Sequence, residues 1–133
     1  MNTDDSGSPA AVTTAWIGRL FGAIDARDAG LFAGFLTEDA RFRFGSGPVV
    51  SGRPAVQIAV AAFFEAIGGC RHRLVRFWQD GANVAIQGEV TYTRLDGGRV
   101  TVPFANVFRM RGEQVAEYLI YIDNAPLFAA PGS

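Results

Sequence analysis

The stretch Arg71–Asp123, RHRLVRFWQDGANVAIQGEVTYTRLDGGRVTVPFANVFRMRGEQVAEYLIYID, decides the fold. It holds four runs rich in β-branched and aromatic residues, near Arg71–Gln79, Val84–Leu95, Arg99–Met110 and Gln114–Asp123. Between them stand Asp80-Gly81, Asp96-Gly97 and Arg111-Gly112. Each pair supplies a glycine able to take the positive φ that tight hairpin turns require. The pattern predicts an antiparallel meander.

Upstream the period changes. Val12, Trp16, Ile17, Leu20, Phe21 and Ile24 recur at helical spacing between Ala11 and Ala26. A second short helix is expected over Ala29–Leu36, burying Leu31, Phe32, Phe35 and Leu36. Thr37-Glu38-Asp39 then reads as a turn into a strand, Ala40–Phe44, which Gly45, Gly47 and Pro48 end. Pro54, placed after Gly52, suits the first turn of a third helix running to about Ile67, where Gly68-Gly69 stops it. Helices followed by a meander make an α+β chain, with N-terminal helices packed on a curved, mainly antiparallel sheet. One domain is expected over residues 11–129, behind a flexible polar tail of residues 1–10.

Composition narrows the function classes. The chain has 133 residues, 49% hydrophobic and 19% charged, enough to bury a core over ~70% of its unfolded surface. A formal charge of −1 gives no general attraction to nucleic acid or acidic membranes. All twelve basic residues are arginine, which reflects coding bias rather than chemistry. Cys70 is the single cysteine, so no intrachain disulfide forms, and it reads as a buried or incidental thiol. The N-terminal residues Asp4, Asp5 and Ser6 do not resemble a secretory leader, and no apolar run reaches the ~20 residues that span a bilayer. A cytoplasmic protein without nucleic-acid or membrane partners is expected.

Two-residue hairpin loops would pair Gln79 with Ala82, Leu95 with Gly98 and Met110 with Glu113. His72 then falls opposite Glu89, Thr91 opposite Val102, and Val102 opposite Tyr121. One face collects His72, Gln87, Glu89, Thr91, Asn106, Glu117, Tyr121 and Asp123 among Leu74, Val102, Phe104, Phe108 and Leu119. The opposite face carries Val75, Phe77, Val84, Ile86, Val90, Tyr92, Ala105, Val107, Tyr118, Ile120 and Ile122. The mixed face suits a pocket lidded by the helices. The cleaner face suits a second copy of the protein, a homodimer through Val90, Tyr92, Val107 and Ile120.

Carboxylate, imidazole, phenol and amide groups in a partly apolar pocket are the materials of general acid–base catalysis. The expected catalytic residues are Asp123, His72 and Glu89. Tyr121, Asn106, Thr91, Phe104 and Trp16 are expected to contact substrate. Each has a plainer alternative: His72 as a bonded sheet residue, Glu89 paired with an arginine such as Arg76, Asp123 capping a turn before Asn124 and Pro126. Gly45-Ser46-Gly47 precedes a proline rather than a helix, so no phosphate loop is present. One histidine and scattered carboxylates make no metal ligand set, and no cofactor is expected.

Three segments carry a family resemblance: FGAIDARDAGLFAGFLTEDARF, SGRPAVQIAVAAFF and PFANVFRMRGEQVAEYLIYIDNAPLF. With the element order they resemble the nuclear transport factor 2-like superfamily, especially its SnoaL-like branch, over Trp16–Phe128. The resemblance implies a cone-shaped fold that hosts isomerases, cyclases, hydrolases, dehydratases and non-catalytic modules. Ketosteroid isomerases carry a base where this chain has Phe44, a tyrosine near Leu20 and an aspartate near Asn106, so their machinery is missing. Limonene-1,2-epoxide hydrolases match at Asp123, but their arginine and second aspartate fall at Glu89 and Thr91. SnoaL-like polyketide cyclases also place an acid–base aspartate at Asp123. The resemblance thus implies a cofactor-independent enzyme of cyclase or isomerase type acting on a small apolar or polyketide-like molecule. An epoxide hydrolase and a non-catalytic ligand-binding or dimerisation module are the alternatives.

Overall fold

Thr13 starts the first helix by accepting the Trp16 N–H on its hydroxyl at 3.1 Å, and α1 runs Thr14–Asp25. The computed structural model describes residues 9–128. Asp28 caps α2 (Ala29–Ala33) in the same way, accepting the Leu31 N–H at 2.9 Å. This helix is shorter than expected because Gly34 ends it. Leu36, fully buried, instead opens strand β1 (Leu36–Phe44). A two-residue strand β2 (Val50–Ser51) follows, then α3 (Arg53–Glu65) with Pro54 in its first turn. The meander is β3 (Gly69–Asp80), β4 (Asn83–Thr93), β5 (Arg99–Arg111) and β6 (Gln114–Ile122). A short 3₁₀ turn, Ala125–Phe128, ends the described chain.

The six strands form one sheet in the order β2-β1-β6-β5-β4-β3. Only β1 and β6 pair in parallel, so the sheet is mainly antiparallel, as the sequence predicts. The helices cover one face. There Ile17 and Leu20 of α1 and Val56 of α3 bury completely among Val84, Ile86, Val90 and Phe108 of the strands. Of the expected tail, residues 1–8 lie outside the described residues, as does residue 129. Ala10 is tied down: its N–H donates to Gly112 O at 3.0 Å, and its carbonyl accepts from Gln79 Nε2 at 2.8 Å.

The expected register is corrected at every hairpin. The first turn pairs Asp80 with Asn83, so Gln79 faces Val84 rather than Ala82, and Val75 is an extra residue in β3; together they set His72 against Val90 rather than Glu89, which faces Arg73. A longer loop between Thr93 and Arg99 puts Thr91 opposite Thr101 instead of Val102. A further bulge near the β5–β6 turn sets Phe104 against Ile122 and Phe108 against Tyr118, so Val102 does not meet Tyr121. An odd shift turns a strand over. His72, Leu74, Phe104, Asn106 and Phe108 keep the helix-covered face. Gln87, Glu89 and Thr91 of β4, with Leu119 and Tyr121 of β6, go to the outside, and Val90, Tyr92, Tyr118 and Ile120 take their places within. The expected dimer face is therefore corrected: Val90 and Tyr92 are buried at 1% and 3% exposure, while Val107 remains outside.

Candidate active site

The curved sheet and the three helices line a cavity of about 300 Å³ that opens to solvent. Its walls are mainly aromatic and aliphatic, with Phe44 and Phe63 in ring contact at 4.8 Å on one side and Phe104 on another. Among the described residues lining it, none is Asp, Glu, Lys or Arg. A cavity of this size and lining accepts a small, neutral, mostly apolar molecule.

Its reactive group is His72. Asp25, the last residue of α1, accepts the His72 backbone N–H at 3.0 Å and meets the ring Nδ1 at 2.6 Å. A carboxylate only accepts, so Nδ1 carries the proton and Nε2 is left as the basic nitrogen of the neutral ring. The ring sits between Phe21 and Phe104, at centroid separations of 5.1 and 5.4 Å. Phe104 can lie there because position 88 is glycine. A β-carbon on Gly88 would stand 2.7 Å from the Phe104 ring and 2.5 Å from the Arg73 carbonyl. Nε2 has no protein partner among the described residues, and it is not sealed from a water-sized molecule. Imidazole and carboxylate thus form a dyad, with the base presented to an apolar cavity.

Three more polar side chains line the cavity without a protein hydrogen-bond partner among the described residues: Asn106, Tyr92 and Tyr118. They are 3%, 3% and 1% exposed. Their polar atoms open onto the cavity, where a bound molecule can take the hydrogen bonds the protein leaves free. Burial raises both tyrosines above the ordinary phenol range, and Tyr92 adds to the effect on Tyr118, so both stay protonated donors.

Residues 17–118 match the SnoaL-like domain family. The chain belongs to that family. No curated protein matches the sequence. Solved structures share the fold, among them the following three. A putative SnoaL-like polyketide cyclase from Jannaschia sp. CCS1 is 20% identical, with a TM-score of 0.74 over 90% of this chain and 94% of that one. A protein of ketosteroid isomerase-like fold from Catenulispora acidiphila, solved with trimethylamine, is 17% identical, with a TM-score of 0.75 over 83% and 86%. An epoxide hydrolase of M. tuberculosis, like limonene-epoxide hydrolase, is 16% identical, with a TM-score of 0.71 over 86% and 84%. At these identities the likeness is one of fold.

Within this SnoaL-like domain, the expected site residues part company. His72, Asn106 and Phe104 meet at the cavity. Glu89 is on the outer face, bonded to Arg73 at 2.7 Å rather than to Arg76. Thr91 is also outside, with its hydroxyl 2.8 Å from that of Thr101. Tyr121 is 55% exposed, because the β5–β6 bulge turns it away. Asp123 lies beyond the end of β6, where its carboxylate accepts the Ala125 N–H at 3.1 Å and caps the 3₁₀ turn. Trp16 is in the core against Phe35 and Phe108, apart from the main cavity. The grouping of Asp123 and Glu89 with His72 is not formed.

Asp25 was missed, although α1 carried a signal. It is the only acid in TAWIGRLFGAID, and it stands at the C-terminal end, where the helix dipole disfavours negative charge by about 0.3–1 kcal/mol. The carboxylates are also less scattered than expected. Asp25, Cys70 and His72 bring one donor atom each within 4.8 Å of one another. Those residue types can hold a zinc-like ion, but the 2.6 Å contact between Nδ1 and Oδ1 is a hydrogen bond. Two ligands of one tetrahedral zinc stand ~3.3 Å apart, from bonds of ~2.0 Å. Burial, then the Asp25 charge, pushes the Cys70 thiol up to about 12, so it is a neutral thiol on the wall.

Proposed function

We propose that this SnoaL-like domain is a cofactor-independent cytoplasmic enzyme that moves a proton on a neutral small molecule, in the manner of an isomerase or cyclase. The observation that carries this reading is the 2.6 Å Asp25–His72 contact, behind an imidazole whose other nitrogen is free in an apolar cavity. Nε2 takes a proton from carbon beside a substrate oxygen and returns it elsewhere on the molecule. Asp25 holds the tautomer and stabilises the imidazolium between the two steps. Asn106 donates to an oxygen elsewhere on the substrate. The role expected for Asp123 passes to Asp25.

The test uses 1-tetralone, a neutral bicyclic ketone, in D₂O. The protein should catalyse deuterium exchange at the carbon beside the carbonyl, and His72→Gln should lower that rate by ~10²-fold or more. Exchange that is unchanged in His72→Gln sinks the assignment.

The outer sheet face fits a second copy of the chain. Trp78, Ala85, Val107 and Leu119 stand in one row across β3, β4, β5 and β6. Arg73 and Glu89 beside that row bond to each other, which leaves the row itself uncharged, as an interface between two copies requires.

A further inference from the structure

The proton-transfer reading leaves two buried phenols unexplained, and they say what the substrate carries. On the concave face, Tyr92 stands opposite Cys70, one diagonal step from His72. Tyr118 stands opposite Phe108, one diagonal step from Asn106. Tyr92 and Asn106 are six residues apart in register along β4, through Ile86, so they reach the cavity from separate places. The register thus makes His72 and Tyr92 neighbours on the sheet, and Asn106 and Tyr118 likewise.

A count of lone pairs adds a constraint. The Asn106 amide and two phenols offer at least three donors, and one carbonyl oxygen accepts two. Among the described residues no arginine or lysine lines the cavity to neutralise a carboxylate or phosphate, whose burial unpaired is costly. The aromatic walls suit a ring. Resting on the proton-transfer reading, we infer that the substrate is a neutral ring compound with two oxygen functions: a carbonyl held by Tyr92 beside the carbon that His72 deprotonates, and a remote hydroxyl or carbonyl clamped between Asn106 and Tyr118. Burial keeps both phenols protonated through the neutral range, so they donate throughout.

Calorimetric titration with ketones of one skeleton tests this without turnover. Wild type should bind 6-hydroxy-1-tetralone about 5–10-fold more tightly than 6-methyl-1-tetralone, the worth of one buried hydrogen bond. Tyr118→Phe should cut that preference to twofold or less and leave the affinity for 6-methyl-1-tetralone unchanged. Tyr92→Phe should weaken both ketones alike and keep the preference. The wild-type comparison needs no variant, so a folding defect in either one does not shield the inference. A preference that survives Tyr118→Phe overturns the clamp. Equal binding of 6-carboxy-1-tetralone overturns the neutral class, and no binding of any tetralone at millimolar concentration overturns the ring-compound class. Absence of His72-dependent deuterium exchange strikes the proton-transfer reading, while the affinity pattern is judged on its own.

Discussion

The two faces of one sheet treat polar side chains in opposite ways. On the outer face they bond to each other across strands: Arg73 to Glu89, Thr91 to Thr101, Arg109 to Asn83. On the concave face Asn106, Tyr92, Tyr118 and the Nε2 of His72 are more deeply enclosed, yet none has a protein partner among the described residues. A polar group that faces a cavity without a protein partner is available to whatever the cavity binds. The unpaired groups are therefore the informative ones, and they mark the concave face as the working side.

The contrast is open to direct attack. The largest effect should fall on the dyad: His72→Gln lowers 1-tetralone exchange by ~10²-fold or more, whereas Glu89→Gln on the outer face leaves it within about twofold. Comparable losses from the two would erase the distinction between faces. Gly88→Ala comes next. It drives a methyl group into Phe104 and the Arg73 carbonyl, so stability should fall by about 1–3 kcal/mol in urea denaturation, with exchange falling as the His72 ring is displaced. An unfolding midpoint unchanged from wild type would mean the ring is not wedged there. Val107→Arg should weaken self-association by ~10-fold or more in sedimentation without altering exchange, since it acts on the outer face only. Asp123→Ala should cost about 1 kcal/mol or less through the lost cap and leave exchange intact. A loss of exchange as large as that of His72→Gln would return Asp123 to the centre of the chemistry.

Cys70 offers the smallest and most local test. Its folded-state pKa of about 12 lies above the ordinary thiol value of 9.0, so its contribution to stability is complete below pH 9. That contribution is lost progressively as pH rises from 9 toward 12, because only the unfolded chain readily ionises. Iodoacetamide should accordingly label native Cys70 slowly at pH 8 and ever faster past pH 9. A rate that levels off near pH 9 would show an open, ordinary thiol.

The sequence told the architecture well and the site partly, for a reason visible in single residues. Glycine pairs, apolar periods and helix caps are local signals, and they located the three helices and four long strands. Register is different, because one extra residue turns a strand over. Residues of β3 and β5, His72 and Asn106 among them, were assigned to one face and are found on it. The bulge at Val75 and the longer loop after Thr93 turned β4 over, taking Glu89 and Thr91 away and bringing Tyr92 in. The β5–β6 bulge did the same with Tyr121 and Tyr118. Asp25 lay beyond any strand-by-strand reading, since it reaches His72 across 47 positions once α1 docks.

The bond from Asp25 to the His72 backbone has a consequence for solubility. Strand β3 is the sheet margin, 12 residues long, and Val75 and Trp78 are exposed along it. A long margin with apolar side chains invites another chain to add itself as the next strand, the route to aggregation. The His72 N–H would be one rung of that foreign ladder, and the Asp25 carboxylate already occupies it. Asp25→Ala would therefore disarm the base and expose a sticky border at once. Selection to keep the protein dispersed in a crowded cell and selection to keep it active would bear on the same carboxylate.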